Sequence, residues 1–488
     1  MIGLARIGGP VACLGLALFL VATTRRERIA GLAFAALGAC VLGAAVAPHR
    51  PVVILGGIFA ALGLGVGLAG VFRAQPWLFP IAALACVPAR IGVHIGVSGS
   101  KLLVPLYVVI FGAALSLAWE LVEGDRRARE LRGAAWPLAL YVGWTGLSLA
   151  WSKDAHDGAI ELLAFYLPFT LLAIGIARLP WSRLGLRVLY AEITIMAVVF
   201  AIVGFYQYET RDIFQNPKVI TSNAYAPFFR VNSVFWDPSI YGRFLVVAMV
   251  ASIVAIVRWR SPRIALVAAA ALVVMWLGLL ISFSQSSFAA LFVAVVGAAV
   301  AAWRWRALVA LLLTAAVLAG IAASQPQIRR SVQHHTTSGL NSASSGRYSL
   351  VANGIRIAAR HPLLGVGVGG FKRAYAERVH LKGKEPKKAA SHDTPVTVAA
   401  ETGVVGLGLL GWLIGAVLVP AFRPRSSLAL ATGLALGAIL CHSLFYNAFF
   451  EDPITWALFG LVALTARVAV PARPPVRRPI AEKEAVPA

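Results

Sequence analysis

Apolar runs of about 18 or more residues recur along most of this 488-residue chain. Each is long enough to cross roughly 30 Å of hydrocarbon. In lipid every backbone N–H and C=O needs an internal partner, so such runs must be helical. With 59% hydrophobic residues and a mean hydropathy of +0.79, a soluble globular domain is excluded. The expected fold is all-α, a polytopic transmembrane bundle of 12–15 spans. The expected spans are 8–23, 29–48, 52–72, 78–96, 102–120, 135–152, 157–177, 187–207, 239–257, 264–283, 288–303, 307–323, 396–420, 427–447 and 454–470. The fourth is interrupted by Pro88, Arg90 and His94, which leaves a re-entrant or interfacial segment as its alternative. Arg25, Arg26 and Arg28 follow the first run rather than precede it, as in a retained span and unlike a signal peptide.

Charge sets the expected topology. The net charge is +24, and short basic clusters fall at 126–132, 178–187, 258–263, 304–306 and 423–425, with a basic tail from 467 to 478. The intervening short loops are basic-poor. The positive-inside rule then places the clusters and the C-terminus in the cytoplasm, and the N-terminus and the loops 208–238 and 324–395 outside. The organisation expected is N-terminal transmembrane helices over 1–125 and a bundle over 126–323 with the shorter outward loop. A large basic loop covers 324–395, further transmembrane helices 396–470, and a disordered, Pro- and charge-rich cytoplasmic tail 471–488. The cell membrane, the bacterial inner membrane, is the expected location. The four cysteines all sit in apolar runs, with no spacing for a metal site or disulfide framework.

The loop 324–395 breaks the apolar pattern. It carries twelve Lys/Arg against three acids (Glu377, Glu385, Asp393) and five of the nine histidines. A basic loop between membrane helices suits an anionic ligand at the bilayer surface. From Tyr348 to Arg360 the apolar residues Tyr348, Val351, Ile355 and Ala358 keep helical spacing, with Ser349, Asn353, Arg356 and Arg360 opposite. This predicts an amphipathic helix on the bilayer surface, ended by Pro362. Gly365, Gly367 and Gly370 match G-x-G-x-x-G, but no strand precedes them, so the dinucleotide motif is rejected in favour of a flexible surface turn. The chain contains no D-x-D, and the loop's histidines are scattered, so no metal and no cofactor is expected.

Four positions have a physical case. Arg230, in the shorter loop, is either a snorkelling interface residue or a phosphate clamp, since guanidinium offers a planar fork to phosphate oxygens. Asp237 precedes Pro238 and either caps the next span or orients Arg230. Asp393-Thr394-Pro395 reads as a helix start, which puts His392 just ahead of a helix N-terminus. Positive charge there disfavours imidazolium, and a neutral imidazole can accept a hydroxyl proton. Glu401 is out of phase with His392 on a straight helix and reads as packing support. Embedded charges elsewhere are few: Glu161, Glu192 and Arg243, either a transport path or structural pairs.

Four segments resemble the O-antigen ligase and O-antigen polymerase superfamily of bacterial membrane glycosyltransferases. They are Arg230 to Pro238, Ser282 to Ser287, Gly346-Arg347 through His361-Pro362 to Gly367, and His392 followed by Glu401-Thr402-Gly403. The resemblance implies a GT-C-like bundle with an outward site and transfer of a glycan from a polyprenyl-diphosphate carrier to an acceptor hydroxyl on glycan, lipid or protein. It implies that Arg230 and Arg347 hold the diphosphate and that His392 activates the acceptor or assists the leaving group. Arg356, Arg360, Asp237 and Glu401 are the further candidates for substrate binding. Membrane lipids are expected partners and nucleic acid is not. A transporter or flippase of the same lipid-linked glycans is the alternative, and a membrane scaffold whose basic loop binds anionic headgroups is a third class.

Overall fold

The structure is a computed structural model that describes residues 1–46, 51–95, 98–214, 216–225, 228–259, 261–304, 306, 309, 347–380, 391–421 and 426–465. The expected span 307–323, most of the loop before Arg347, the lysines at 382–388 and the tail beyond 470 lie outside the described residues. Among the described residues nine helices are long and apolar enough to cross a membrane, and three shorter apolar helices accompany them. The protein is a polytopic all-α membrane protein, with one two-stranded hairpin.

Close helix contact depends on small residues, as expected where lipid supplies no hydrophobic drive between helices. α1 (Ile2–Val21) lies along α2 (Arg25–Val46), and a side chain at Gly38 would come within 2.2 Å of the Ala12 backbone. At the centre is α11 (Pro238–Arg258), whose most apolar stretch is 72% buried against 28% for the neighbouring α12 (Pro262–Ser282). α13 (Gln285–Trp303) and α17 (Ser427–Ser443) cover α11, and α18 (Pro453–Thr465) packs on α8 (Leu167–Arg178).

The fourth apolar run differs from expectation. It is not one helix: α4 (Leu78–Ala85) has only eight residues, and an antiparallel hairpin of β1 (Ile91–Ile95) and β2 (Ser98–Leu102) follows. Pro88, three residues beyond the last helical position, prevents the helix from continuing. The chain still passes from one end of the bundle to the other. Arg73, just before α4, pairs with Glu123 at the end of α5 (Val104–Glu123), whereas Arg90 acts electrostatically on Tyr107 near the opposite end of α5.

The Arg73 end is basic but paired. Arg28 donates to Glu130 at 2.6 Å, and Arg178 reaches Glu130 at 2.5 Å, Glu120 at 2.6 Å and also Asp125. Burial raises the Asp125 pKa, but hydrogen bonds from Arg178 and Arg127 outweigh it and hold the group at about 2. Arg243 in α11, read from sequence as transport path or structural pair, makes a pair: its Nε is 3.0 Å from Asp452, both side chains about 4% exposed.

Candidate functional site

Three chain segments converge at the end of the bundle opposite Arg73. The first is the approach to α11. Asp237 caps that helix, its Oδ1 accepting from the Ser239 N–H at 2.7 Å. The cap fixes the preceding residues, and Arg230 is held by Asn223, whose amide exchanges two hydrogen bonds with the Arg230 backbone at 2.9 and 3.1 Å. The Arg230 Nε donates to the Ser282 carbonyl at 3.2 Å. Burial lowers the Arg230 pKa, the Asp237 charge raises it, and the Arg347 charge lowers it again. Asp237 thus fills both roles considered for it, cap and electrostatic partner. Arg230 and Arg347, 117 positions apart in sequence, lie within electrostatic range of one another.

The second segment is α14 (Arg347–Arg360), the amphipathic helix expected over 348–360. Arg347 stands at its exposed start. The helix buries a different stripe from the one anticipated: Leu350, Gly354 and Ile357 pack inward, while Tyr348 and Ile355 are each 54% exposed. The protein therefore uses the small Gly354 for close approach to α16 (Thr394–Ala421) and leaves Tyr348 and Ile355 outward, as suits a helix at the bilayer surface. Arg356 and Arg360 are exposed and act on Arg378, which donates to Asn353 at 2.9 Å. They sit in a cluster with Arg378.

The third segment is the start of α16 (Thr394–Ala421). Asp393 is its cap, Oδ1 accepting from Val396 N–H at 2.9 Å, and burial raises the Asp393 pKa against that bond. His392 precedes the cap in the left-handed region, φ 65°. Its ring centroid is 6.4 Å from that of Tyr446, which is 5.7 Å from His442. His442 Nε2 is 3.1 Å from Ser286 Oγ, so the serine-rich break between α12 and α13 meets the His392 neighbourhood through Tyr446. Burial, then the Asp237 and Glu451 carboxylates, push the Tyr446 phenol above its ordinary pKa of 10.0, so it stays a hydroxyl donor. Tyr446 also lies within electrostatic range of Arg230.

Sequence reasoning missed Tyr446 and His442. A tyrosine beside an apolar run and a histidine within one carry no local signal. The nearby Asn447 to Pro453 is at least a polar break between spans. Arg90, delivered by the broken fourth run, was seen only as an interruption, yet its charge reaches Tyr446 and Glu451.

The glycine turn is a buried clamp, which corrects the expectation of a flexible surface turn. Gly365 through Gly370 are all buried. At Gly367, φ 83°, a Cβ would meet Ser152 Cα at 2.2 Å, and at Gly365, φ 66°, the Glu401 backbone at 2.3 Å. The Val368 N–H donates to Ser148 Oγ at 3.0 Å, and its carbonyl accepts from Ser152 Oγ at 2.8 Å. Glu401 is buried, Oε1 accepting from the Phe371 N–H at 3.2 Å. It supports the turn rather than joining His392, as its phase on the helix suggested. α16 breaks at Gly403, φ 69°, where Val404 N–H is captured by the Pro362 carbonyl at 2.7 Å.

The fold and these segments define a multi-pass helical membrane protein in which Arg230 lies within electrostatic range of Arg347 and Tyr446, and Tyr446 in turn lies beside His392. Residues 270–411 match the O-antigen ligase family, in line with the resemblance of the chain to the O-antigen ligase and polymerase superfamily. It spans Arg347, His392 and Glu401, and stops short of Arg230 on one side and of His442 and Tyr446 on the other. No curated protein matches the chain.

Proposed function

We propose that the chain transfers a glycan from a polyprenyl-diphosphate carrier to an acceptor hydroxyl, as an O-antigen ligase or a polysaccharide polymerase, on the outer side of the bacterial inner membrane. The observation that carries this is the convergence of Arg230 and Arg347 beside the His392–Tyr446 pair, from segments far apart in sequence. In the reaction the acceptor oxygen bonds to the anomeric carbon as the anomeric C–O bond to the diphosphate breaks. The bonding pair leaves with the diphosphate, and the acceptor proton passes to His392. Charge develops on the leaving diphosphate, where two guanidinium groups held in advance stabilise it. Neutral imidazole at a helix N-terminus is suited to receive the proton. Diphosphate is already a good leaving group, so these residues account for the step without a nucleotide sugar.

The test is a glycan gel from a host lacking this gene, complemented with wild type, Arg347→Ala or His392→Ala. Long chains that stay on the carrier lipid indicate a ligase, and collapse to single repeat units indicates a polymerase. An unchanged pattern with well-inserted variants removes the assignment.

A further inference from the structure

A second polar feature lies behind the His392 helix start. A cavity of about 60 Å³ is lined by Glu161, Glu401, Glu451, Asn447, Thr394 and Thr397. It shares two walls with the site: Thr394 is two residues beyond His392, and Asn447 adjoins Tyr446. A π-helical turn, Leu162–Tyr166, follows Glu161 directly and turns Phe165 and Tyr166 into the cavity, opposite Phe449 and Phe450.

Three carboxyl groups give the cavity acceptor oxygens that the N–H or O–H groups of an occupant can meet, Glu401 being partly engaged by the Phe371 N–H. The Thr394 hydroxyl is an independent sign: the residue is 3% exposed, and Oγ1 has no hydrogen-bond partner although it lines the cavity. Thr397, by contrast, is engaged by Ser391 at 2.9 Å. A buried hydroxyl left unpaired is costly, and a ligand group removes that cost. Aromatic faces beside carboxylates suit a sugar ring, whose C–H face is apolar and whose edge carries hydroxyls. With roughly 10–15 Å³ of such cavity space needed per water, the cavity takes about four or five water-sized groups, part of a ring with its exocyclic groups.

We propose that this cavity is the acceptor-sugar subsite, receiving exocyclic hydrogen-bond donors, hydroxyl or amino, of the sugar whose hydroxyl is presented to His392. This rests on the transferase function proposed above. Arg230 and Arg347 then serve the donor diphosphate, and Glu161, Glu451 and Thr394 select the acceptor.

The test is saturation-transfer NMR on the full chain in lipid nanodiscs, with millimolar glucose and, separately, glucosamine as probes. Wild type saturates ring-edge protons of the probe. Glu161→Gln and the isosteric Thr394→Val each weaken binding roughly tenfold, as loss of a hydrogen bond involving a charged or buried group does. Binding of both probes identifies hydroxyl recognition, binding of glucosamine alone identifies the amine, and either supports the subsite. No sugar signal from folded wild type, or signals that both cavity variants leave intact, overturns it. So does Ca²⁺ binding that Glu161→Gln abolishes while neither sugar binds, which would make the cavity a cation site. The gel separates the two proposals: inactive wild type sinks the transferase, whereas active wild type with no cavity-dependent sugar binding sinks only the subsite.

Discussion

His392 is held at φ 65°, a conformation that costs a non-glycine residue roughly 1–2 kcal/mol and is retained where surrounding structure imposes it. Here the Asp393 cap and the Ser391–Thr397 hydrogen bond impose it from both sides. Asparagine tolerates the same conformation, so His392→Asn removes the base and keeps the backbone. Transfer should fall about 10²–10⁴-fold, with thermal stability unchanged. Arg230→Lys keeps the charge but loses the planar fork and the bond to the Ser282 carbonyl. A fall in transfer of about tenfold or more is expected, measured at matched expression, and full activity would remove the clamp. Gly367→Ala meets the Ser152 backbone in a left-handed conformation. The conformation alone costs roughly 1–2 kcal/mol, the collision adds to it, and the variant should lose yield and melt earlier than wild type.

The decisive elements are breaks in helices. α16 kinks at Gly403, the α12–α13 junction turns at Phe283 with φ 47°, and the fourth run gives way to a hairpin. The first two expose backbone that needs a partner, and each partner belongs to the site's scaffold: Pro362 for the kink, Arg230 for the Ser282 carbonyl. The loop bearing Tyr446 is tied to α11 by the Arg243–Asp452 pair, and Arg243 also donates to the Ala448 carbonyl at 3.4 Å. Asp452→Ala strands a buried guanidinium and should cost about 3–5 kcal/mol. Pairing Arg243→Met with Asp452→Leu should recover most of the melting temperature. Recovery of transfer as well would show that Tyr446 needs only the packing.

Across the whole molecule the two ends of the bundle differ in kind. One end neutralises its arginines with Glu120, Asp125 and Glu130, and the other gathers Arg230 and Arg347 around His392 and Tyr446. The paired end predicts an acid limit to stability. Asp125 has its pKa held at about 2 against an ordinary 3.8, so its stabilisation is complete above the ordinary value and is lost as pH falls toward 2. Melting curves from pH 5 to 2 should show this loss, and Asp125→Asn should flatten the part due to this group. The distant histidine site gives no reason for such a loss.

Sequence by itself determined the class of the protein, the helix expected over 348–360 and the helix start behind His392, because run length, periodicity and capping chemistry are local and additive along the chain. Arg230 and His392 entered as candidates on local chemistry, and Arg347 entered only through the resemblance. The expected ligand roles of Arg356 and Arg360 differ in kind, because their positions depend on how α14 docks and the structure groups them with Arg378. Only tertiary structure decided that Gly365–Gly370 is a buried clamp, that Glu401 supports that clamp, and that Tyr446, His442 and Arg90 join the site. It also brought Glu161, Glu401 and Glu451, spread over 290 positions of sequence, to one cavity. A spacing pattern cannot report such a meeting, because it depends on where helices break and which faces then touch.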